Sequence, residues 1–144
     1  MKLTIATPER KTFEGDVDQI TVPTPDGQIT ILPGHTSLVT QLQPGELVVK
    51  QEKKQTNLAV GYGFAEISGK QVSVLTDLAE EATEISEKEA EEARRRAEEA
   101  LKEKEKLSSE EYAAVAAALE KSLARLRVKR RHHPKTTPKA ETST

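Results

Sequence analysis

Cysteine and tryptophan are absent from this chain, and it has only two phenylalanines, two tyrosines and three histidines. Each scarcity removes a possibility. Without cysteine there are no disulfides and no thiolate metal sites, and a reducing compartment is compatible with that choice. With so few aromatics, one large core is hard to build, because aromatic side chains usually supply much of the buried area. No apolar run approaches the roughly 20 residues a membrane-spanning helix needs. The start, Met1-Lys2-Leu3-Thr4-Ile5, reads as a strand and lacks the regions of a signal peptide. A soluble, cytoplasmic protein is expected.

What is present is divided in two. Up to about Leu78, short β-rich runs alternate with turn residues, and all seven glycines and five of the seven prolines fall there. Leu3–Thr7, Val17–Pro23, Gln28–Leu32, Glu46–Gln51, Thr56–Val60, Phe64–Ile67 and Gln71–Thr76 read as strands. Pro25-Asp26-Gly27, Pro33-Gly34-His35, Pro44-Gly45 and Ser68-Gly69-Lys70 separate them. Many short strands at this spacing, with no helical pattern between them, predict an antiparallel sandwich or barrel.

From Ser86 the pattern becomes helical. Ser86-Glu87-Lys88-Glu89 and Ser108-Ser109-Glu110-Glu111 both fit a capping box. With no Gly or Pro between Ser86 and His133, they predict two helices joined near Leu107-Ser108. Ala90, Ala93, Ala97 and Ala100/Leu101 form an apolar stripe on the first. Tyr112, Val115, Leu119, Ser122/Leu123 and Leu126 form one on the second. Alanine-rich faces bury little area, so the hairpin should be only marginally self-sufficient and able to separate and re-dock. The fold class is therefore mainly β then α (α+β): a sandwich over residues 1–84, a helical hairpin over 85–133, and a polar tail over 134–144, expected to be disordered.

Charge follows the same division. Residues 1–84 carry seven basic and twelve acidic side chains, whereas 85–144 carry fifteen and twelve. Between Lys121 and Lys139 lie eight basic residues and no acid. Arg125, Lys129 and His132 share one side of the second helix, a stripe suited to an acidic surface. Arg94-Arg95-Arg96, by contrast, is flanked by Glu91, Glu92, Glu98 and Glu99, and reads as a solvated face, as do Glu80-Glu81 and Glu91-Glu92.

The search for catalytic chemistry finds no constellation. His35 sits in a turn with no partner nominated by the sequence, and His132-His133 point about 100° apart on a helix. Gly61-Tyr62-Gly63-Phe64 lacks the Lys-Ser/Thr and the helix of a phosphate loop, so glycines at a strand edge or bulge fit better. A non-catalytic protein acting on a larger partner is expected, with no metal and no cofactor. An adaptor using the basic helix on nucleic acid or an acidic protein is the rival. Nucleic acid fits less well, because no aromatic is interleaved for stacking.

Leu32-Pro33-Gly34-His35, then Gly63-Phe64-Ala65-Glu66, followed by an alanine-rich hairpin containing Tyr112-Ala113, Ala118-Leu119, Lys121 and Leu126-Arg127-Val128, resembles the epsilon subunit of rotary F-type ATP synthases. The resemblance covers about residues 2–130. It implies a central-stalk subunit on the cytoplasmic face of the plasma membrane (or the stromal face of a thylakoid), peripheral and without a transmembrane segment. Its partners would be the gamma subunit, the membrane rotor ring and the beta subunits of the catalytic hexamer, with no nucleic acid. Gln28, Pro33, Gly34 and His35 would face the ring or gamma. Arg125, Arg127, Lys129, Arg130 and Arg131 would make the contact through which an extended hairpin inhibits ATP hydrolysis. Some members bind ATP on the folded hairpin; Ile85, Ala90, Ala93, Arg96, Ala97 and Glu98 match that pattern. Ser86 replaces its Asp and Glu89 its first Arg. An anion beside a triphosphate is repulsive, so ATP binding is disfavoured. Tyr62 and Thr30 stand where the family usually has Gly.

Overall fold

The computed structural model describes residues 1–132. The proposed tail over 134–144, and His133, lie outside the described residues. Ten strands precede two helices: β1 (Lys2–Ala6), β2 (Lys11–Asp16), β3 (Gln19–Thr24), β4 (Gly27–Ile31), β5 (Leu38–Leu42), β6 (Gly45–Gln51), β7 (Lys54–Val60), β8 (Gly63–Ser68), β9 (Gln71–Thr76) and β10 (Ala79–Glu81), then α1 (Glu87–Lys102) and α2 (Ser109–His132). The strands form two five-stranded sheets, in the orders β2-β1-β9-β8-β5 and β10-β7-β6-β3-β4. All pairings are antiparallel except β1 with β9.

Alternation builds the core. Leu3 and Ile5 in β1, Val72 and Val74 in β9, and Ala65 and Ile67 in β8 point from the first sheet onto Ile20, Val22, Leu47, Val49, Leu58 and Val60 of the second. Gly69 turns β8 into β9 with φ +61°, a conformation that glycine adopts without steric penalty. The expected seven strands are all present, and β2, β5 and β10 are additional. Each of the three is a sheet edge. An edge strand buries fewer side chains, so Lys11–Asp16 shows no apolar alternation to read.

The helix starts lie where the caps placed them. The Glu89 amide donates to Ser86 Oγ at 3.2 Å. At α2 the box is reciprocal: the Glu111 amide donates to Ser108 Oγ (3.0 Å), and the Ser108 amide to Glu111 Oε1 (2.8 Å). A 3-10 turn, Lys104–Lys106, joins the helices. On α1, Ala90 and Ala97 are buried as the stripe required. Tyr112 departs from its stripe: in the first turn of α2, beside the exposed connection, it is largely solvent-facing. Farther along, Ser122, Ala124, Leu126 and Val128 are all buried. That spacing of two does not describe one helix face. It arises because the last half of α2 lies between α1 on one side and β6, β7 and the 3-10 turn Ala82–Glu84 on the other.

Candidate partner interfaces

The hairpin packs on the β6–β7 side of the second sheet's outer face through a small apolar contact and a long ionic one. The apolar part is Val128 against Ala59, Ala82 and Ile85, all buried. Around it run charged pairs that join segments far apart in sequence. Lys121 Nζ donates to Asp77 Oδ2 at 3.1 Å, and Arg125 Nε to Glu80 Oε1 at 2.6 Å. Lys129 Nζ donates to the Ala82 carbonyl at 3.2 Å. Arg130 reaches Glu87 Oε2 at 2.8 Å and also Glu91.

The last turn of α2 closes on Glu46, which points outward from β6 yet has a side chain only 8% exposed. Its carboxylate accepts from Asn57 Nδ2 (2.7 Å), Arg131 Nη1 (2.5 Å) and His132 Nε2 (2.6 Å). The stripe without acids in its own stretch of sequence is thus supplied with acids by β6, β10, α1 and the segment after β9. Arg127 forms no ion pair with any described residue. The acidic residues correct the expectation of solvated charges: Glu80 holds Arg125, whose side chain is 17% exposed, and Glu91 holds both Arg94 and Arg130. Hydrogen bonds from Arg94 first, and from Arg130, keep the Glu91 carboxyl below its usual range. The Arg94 guanidinium is raised in turn, chiefly by Glu91. Sequence spacing could not find Asp77, Glu80 or Glu46, because each partner lies more than 40 residues away.

No described residue covers the outer face of the first sheet, which carries an apolar patch. Phe64 in β8 stands opposite Leu75 in β9, and Leu75 is in register with Ala6 in β1. Phe64 and Leu75 are 53% and 60% exposed, and Tyr62 adjoins them. Val39 extends the apolar area on β5. Clustered exposed apolar residues on one face mark a contact surface more often than scattered ones do.

Of the residues expected at the ring or gamma, Pro33, Gly34 and His35 share one turn, closed by the His35 amide donating to the Leu32 carbonyl at 3.1 Å. His35 Nδ1 lies 2.7 Å from the Thr36 carbonyl. Gln28 is not with them: it is the second residue of β4 and the turn follows that strand's other end, roughly 16 Å away at about 3.3 Å per residue. Among the positions of the ATP pattern, Ile85, Ala90 and Ala97 are buried in packing and Ala93 is half-buried. Arg96 is exposed, in a shallow groove with Glu92, Arg95 and Glu99.

A β-sandwich with an exposed apolar patch on one face, and a helical hairpin fastened largely by charge on the opposite face, defines a two-part, mainly β then α protein. The sandwich, residues 1–82, matches the family model of the ATP synthase delta/epsilon chain β-sandwich domain, and residues 83–130 match that of its long alpha-helix domain. The chain belongs to the ATP synthase delta/epsilon chain family. The ATP synthase epsilon chain of Geobacter sulfurreducens is 39% identical over 130 residues, covering 89% of this chain and 92% of that one. That of Chloroflexus aggregans is 45% identical over 80 residues, which is 56% of this chain and 58% of that one, so that match spans less than two thirds of its length. A chain in the structure of the Euglena gracilis mitochondrial ATP synthase, OSCP/F1/c-ring, superposes with a TM-score of 0.69 at 26% identity, covering 85% of this chain and 76% of that one. A chain of the Tetrahymena thermophila mitochondrial ATP synthase central stalk/c-ring shares the fold, with a TM-score of 0.52 at 15% identity over 58% and 68% of the two chains.

Proposed function

We propose that this chain is a non-catalytic central-stalk subunit of an F-type ATP synthase, coupling a gamma shaft to the membrane rotor ring during ion-driven ATP synthesis. One observation carries this reading: one outer face of the sandwich bears an exposed apolar patch that no described residue covers, while the opposite face carries, on its β6–β7 side, a hairpin held largely by charge. An exposed apolar patch suits a permanent shaft partner, since removing apolar surface from water favours association. The Leu32–His35 turn, exposed at Leu32, Pro33 and Gly34, suits the ring, with Gln28 as a separate contact. No helix among the described residues is long and apolar enough to cross a membrane, so membrane association would come through the assembly.

Residues 85–133 are the regulatory part. In the docked form Arg125, Lys129, Arg130 and Arg131 are occupied within the chain, and an acidic segment of a beta subunit would compete for them. The exchange of one set of ion pairs for another leaves a free-energy difference of a few kcal/mol, which is enough to move the population between docked and extended states. The same occupancy argues against the nucleic-acid adaptor, whose positive stripe would be largely neutralised. The buried positions Ile85, Ala90 and Ala97, with Glu89 in place of Arg, leave ATP binding on the hairpin disfavoured.

Reconstitution with alpha, beta and gamma subunits tests the reading. A chain truncated after residue 85 should still assemble. Replacing Arg125, Lys129 and Arg130 by Ala should leave assembly intact and raise ATP hydrolysis. Unchanged hydrolysis in the triple variant would remove the inhibitory role, and loss of assembly on truncation would show that the two parts are not separable.

A further inference from the structure

Asp77 stands between the two faces of the sandwich and touches something belonging to each. Its Oδ2 accepts from Lys121 Nζ of α2 at 3.1 Å, and its Oδ1 accepts from the backbone amide of Tyr62 at 3.0 Å. The Asp77 amide in turn donates to the Tyr62 carbonyl at 3.0 Å. Thr76 Oγ1 lies within hydrogen-bond distance of the same carbonyl (3.0 Å) and of the Gly61 amide (3.1 Å). The turn Gly61–Tyr62 is thus held against Thr76–Leu78, and the approach is close. A Cβ added at Gly61 would lie 2.1 Å from Asp77 Oδ1 and 3.1 Å from Lys121 Cδ. Beyond Asp77 a groove of about 360 Å³ opens, lined by Pro8, Tyr62, Leu75 and Asp77 among others; Tyr62 and Leu75 belong to the exposed apolar patch.

We infer that Asp77 couples docking of the hairpin to the geometry of the apolar face, through Lys121 on one carboxylate oxygen and the Tyr62 amide on the other. With the hairpin docked, Lys121 fixes the carboxylate, and the carboxylate fixes the Tyr62 backbone at the end of the Phe64–Leu75 pair. With the hairpin away, Oδ2 loses its cation and Asp77 is free to leave Tyr62. Coupling between two sites is reciprocal, so a partner that seats on the face with Tyr62 held there favours the docked hairpin by the same factor. The consequence for the shaft subunit rests on the function proposed above; the coupling within the chain does not.

Two measurements separate them. In the free, full-length chain, amide hydrogen exchange at Tyr62 should quicken about two- to fivefold in Lys121→Ala, the range expected for one exposed ion pair. Asp77→Asn, which keeps an acceptor for the amide but loses the charge, should do the same, and the double variant should go no further. Unchanged exchange at Tyr62 in both single variants, or fully additive effects in the double one, overturns the coupling whatever the partner is. In the second measurement, isolated gamma subunit is titrated against the unmodified chain and Lys121→Ala. Binding weakened by a similar factor supports transmission to the partner surface, and equal binding overturns it. If the unmodified chain does not bind gamma, the function proposed above falls, while exchange at Tyr62 still decides the coupling.

Discussion

The sandwich is held by sixteen buried apolar residues from nine strands and the β2–β3 link, whereas the hairpin meets it through Val128, Ile85 and two alanines, ringed by ion pairs. The two regions therefore depend on different physics. Apolar burial is not weakened by salt screening and, per side chain, contributes about 1.5–3 kcal/mol for a Leu, Ile or Val. Exposed ion pairs contribute about 0–1 kcal/mol each and weaken as ionic strength rises. A region built the first way is permanent; one built the second way can open while the other stays folded.

The largest expected effect tests the permanence of the sandwich. Leu58→Ala or Leu47→Ala, at fully buried positions of β7 and β6, should cost about 2–5 kcal/mol of unfolding free energy. The loss should be equal in the whole chain and in residues 1–85, as read by urea denaturation followed by circular dichroism. A loss much larger in the whole chain would mean that sandwich and hairpin unfold as one unit, and the contrast between them would fail.

How much of this could be read from the sequence depended on the same contrast. Interior strands carry an alternation that burial imposes, so Gln71–Thr76 was legible residue by residue. The strands β2, β5 and β10 were not: each lies at a sheet edge and shows little apolar alternation, whereas the other edge strand, β4, was legible from Ile29 and Ile31. Helix starts were legible because Ser86 and Ser108 act on amides three residues away. The ionic seam was not: Glu46 and Arg131 are 85 residues apart, and nothing local marks Glu46 except that it is an acid at an outward position next to Leu47. The turn with Pro33, Gly34 and His35 was legible as a turn, but its separation from Gln28 required the length of β4.

A middle-sized effect probes the seam directly. Glu46→Gln removes the charge that Arg131 and His132 share while keeping an acceptor and the shape, and should weaken docking by about 1.5–3 kcal/mol, the range of a hydrogen bond to a charged group. Energy transfer between a dye on Lys50 and one near Lys104 reports the docked fraction. In 1 M salt, where the Debye length falls to about 3 Å, the unmodified chain should move in the same direction, while the urea midpoint of residues 1–85 should not fall. A docked fraction indifferent to both changes would show that Val128 and its apolar neighbours alone hold the hairpin.

The smallest effect compares one carboxylate from each region. Glu14 in β2 titrates below its usual value of 4.5 because Lys11, three residues away on the same strand, donates to it, with Lys2 contributing through charge. Glu91 in α1 is also depressed from 4.5, by Arg94 on its own helix and then by Arg130 from α2. A carboxyl whose pKa is lowered by folding favours the folded arrangement above its unfolded value. That contribution disappears as the pH falls from about 4.5 through the depressed value. Neither group is buried, so each change is small and is read from the titration midpoint in carbon-detected NMR. Arg130→Ala should raise the Glu91 midpoint and leave Glu14 where it is; Arg94→Ala should raise Glu91 further, since its hydrogen bond is the larger cause. The Glu91 midpoint then becomes a gauge of whether α2 lies against α1, with Glu14 as the fixed reference. If Arg130→Ala leaves Glu91 unmoved, the Arg130–Glu91 pair is not part of the docked hairpin in solution.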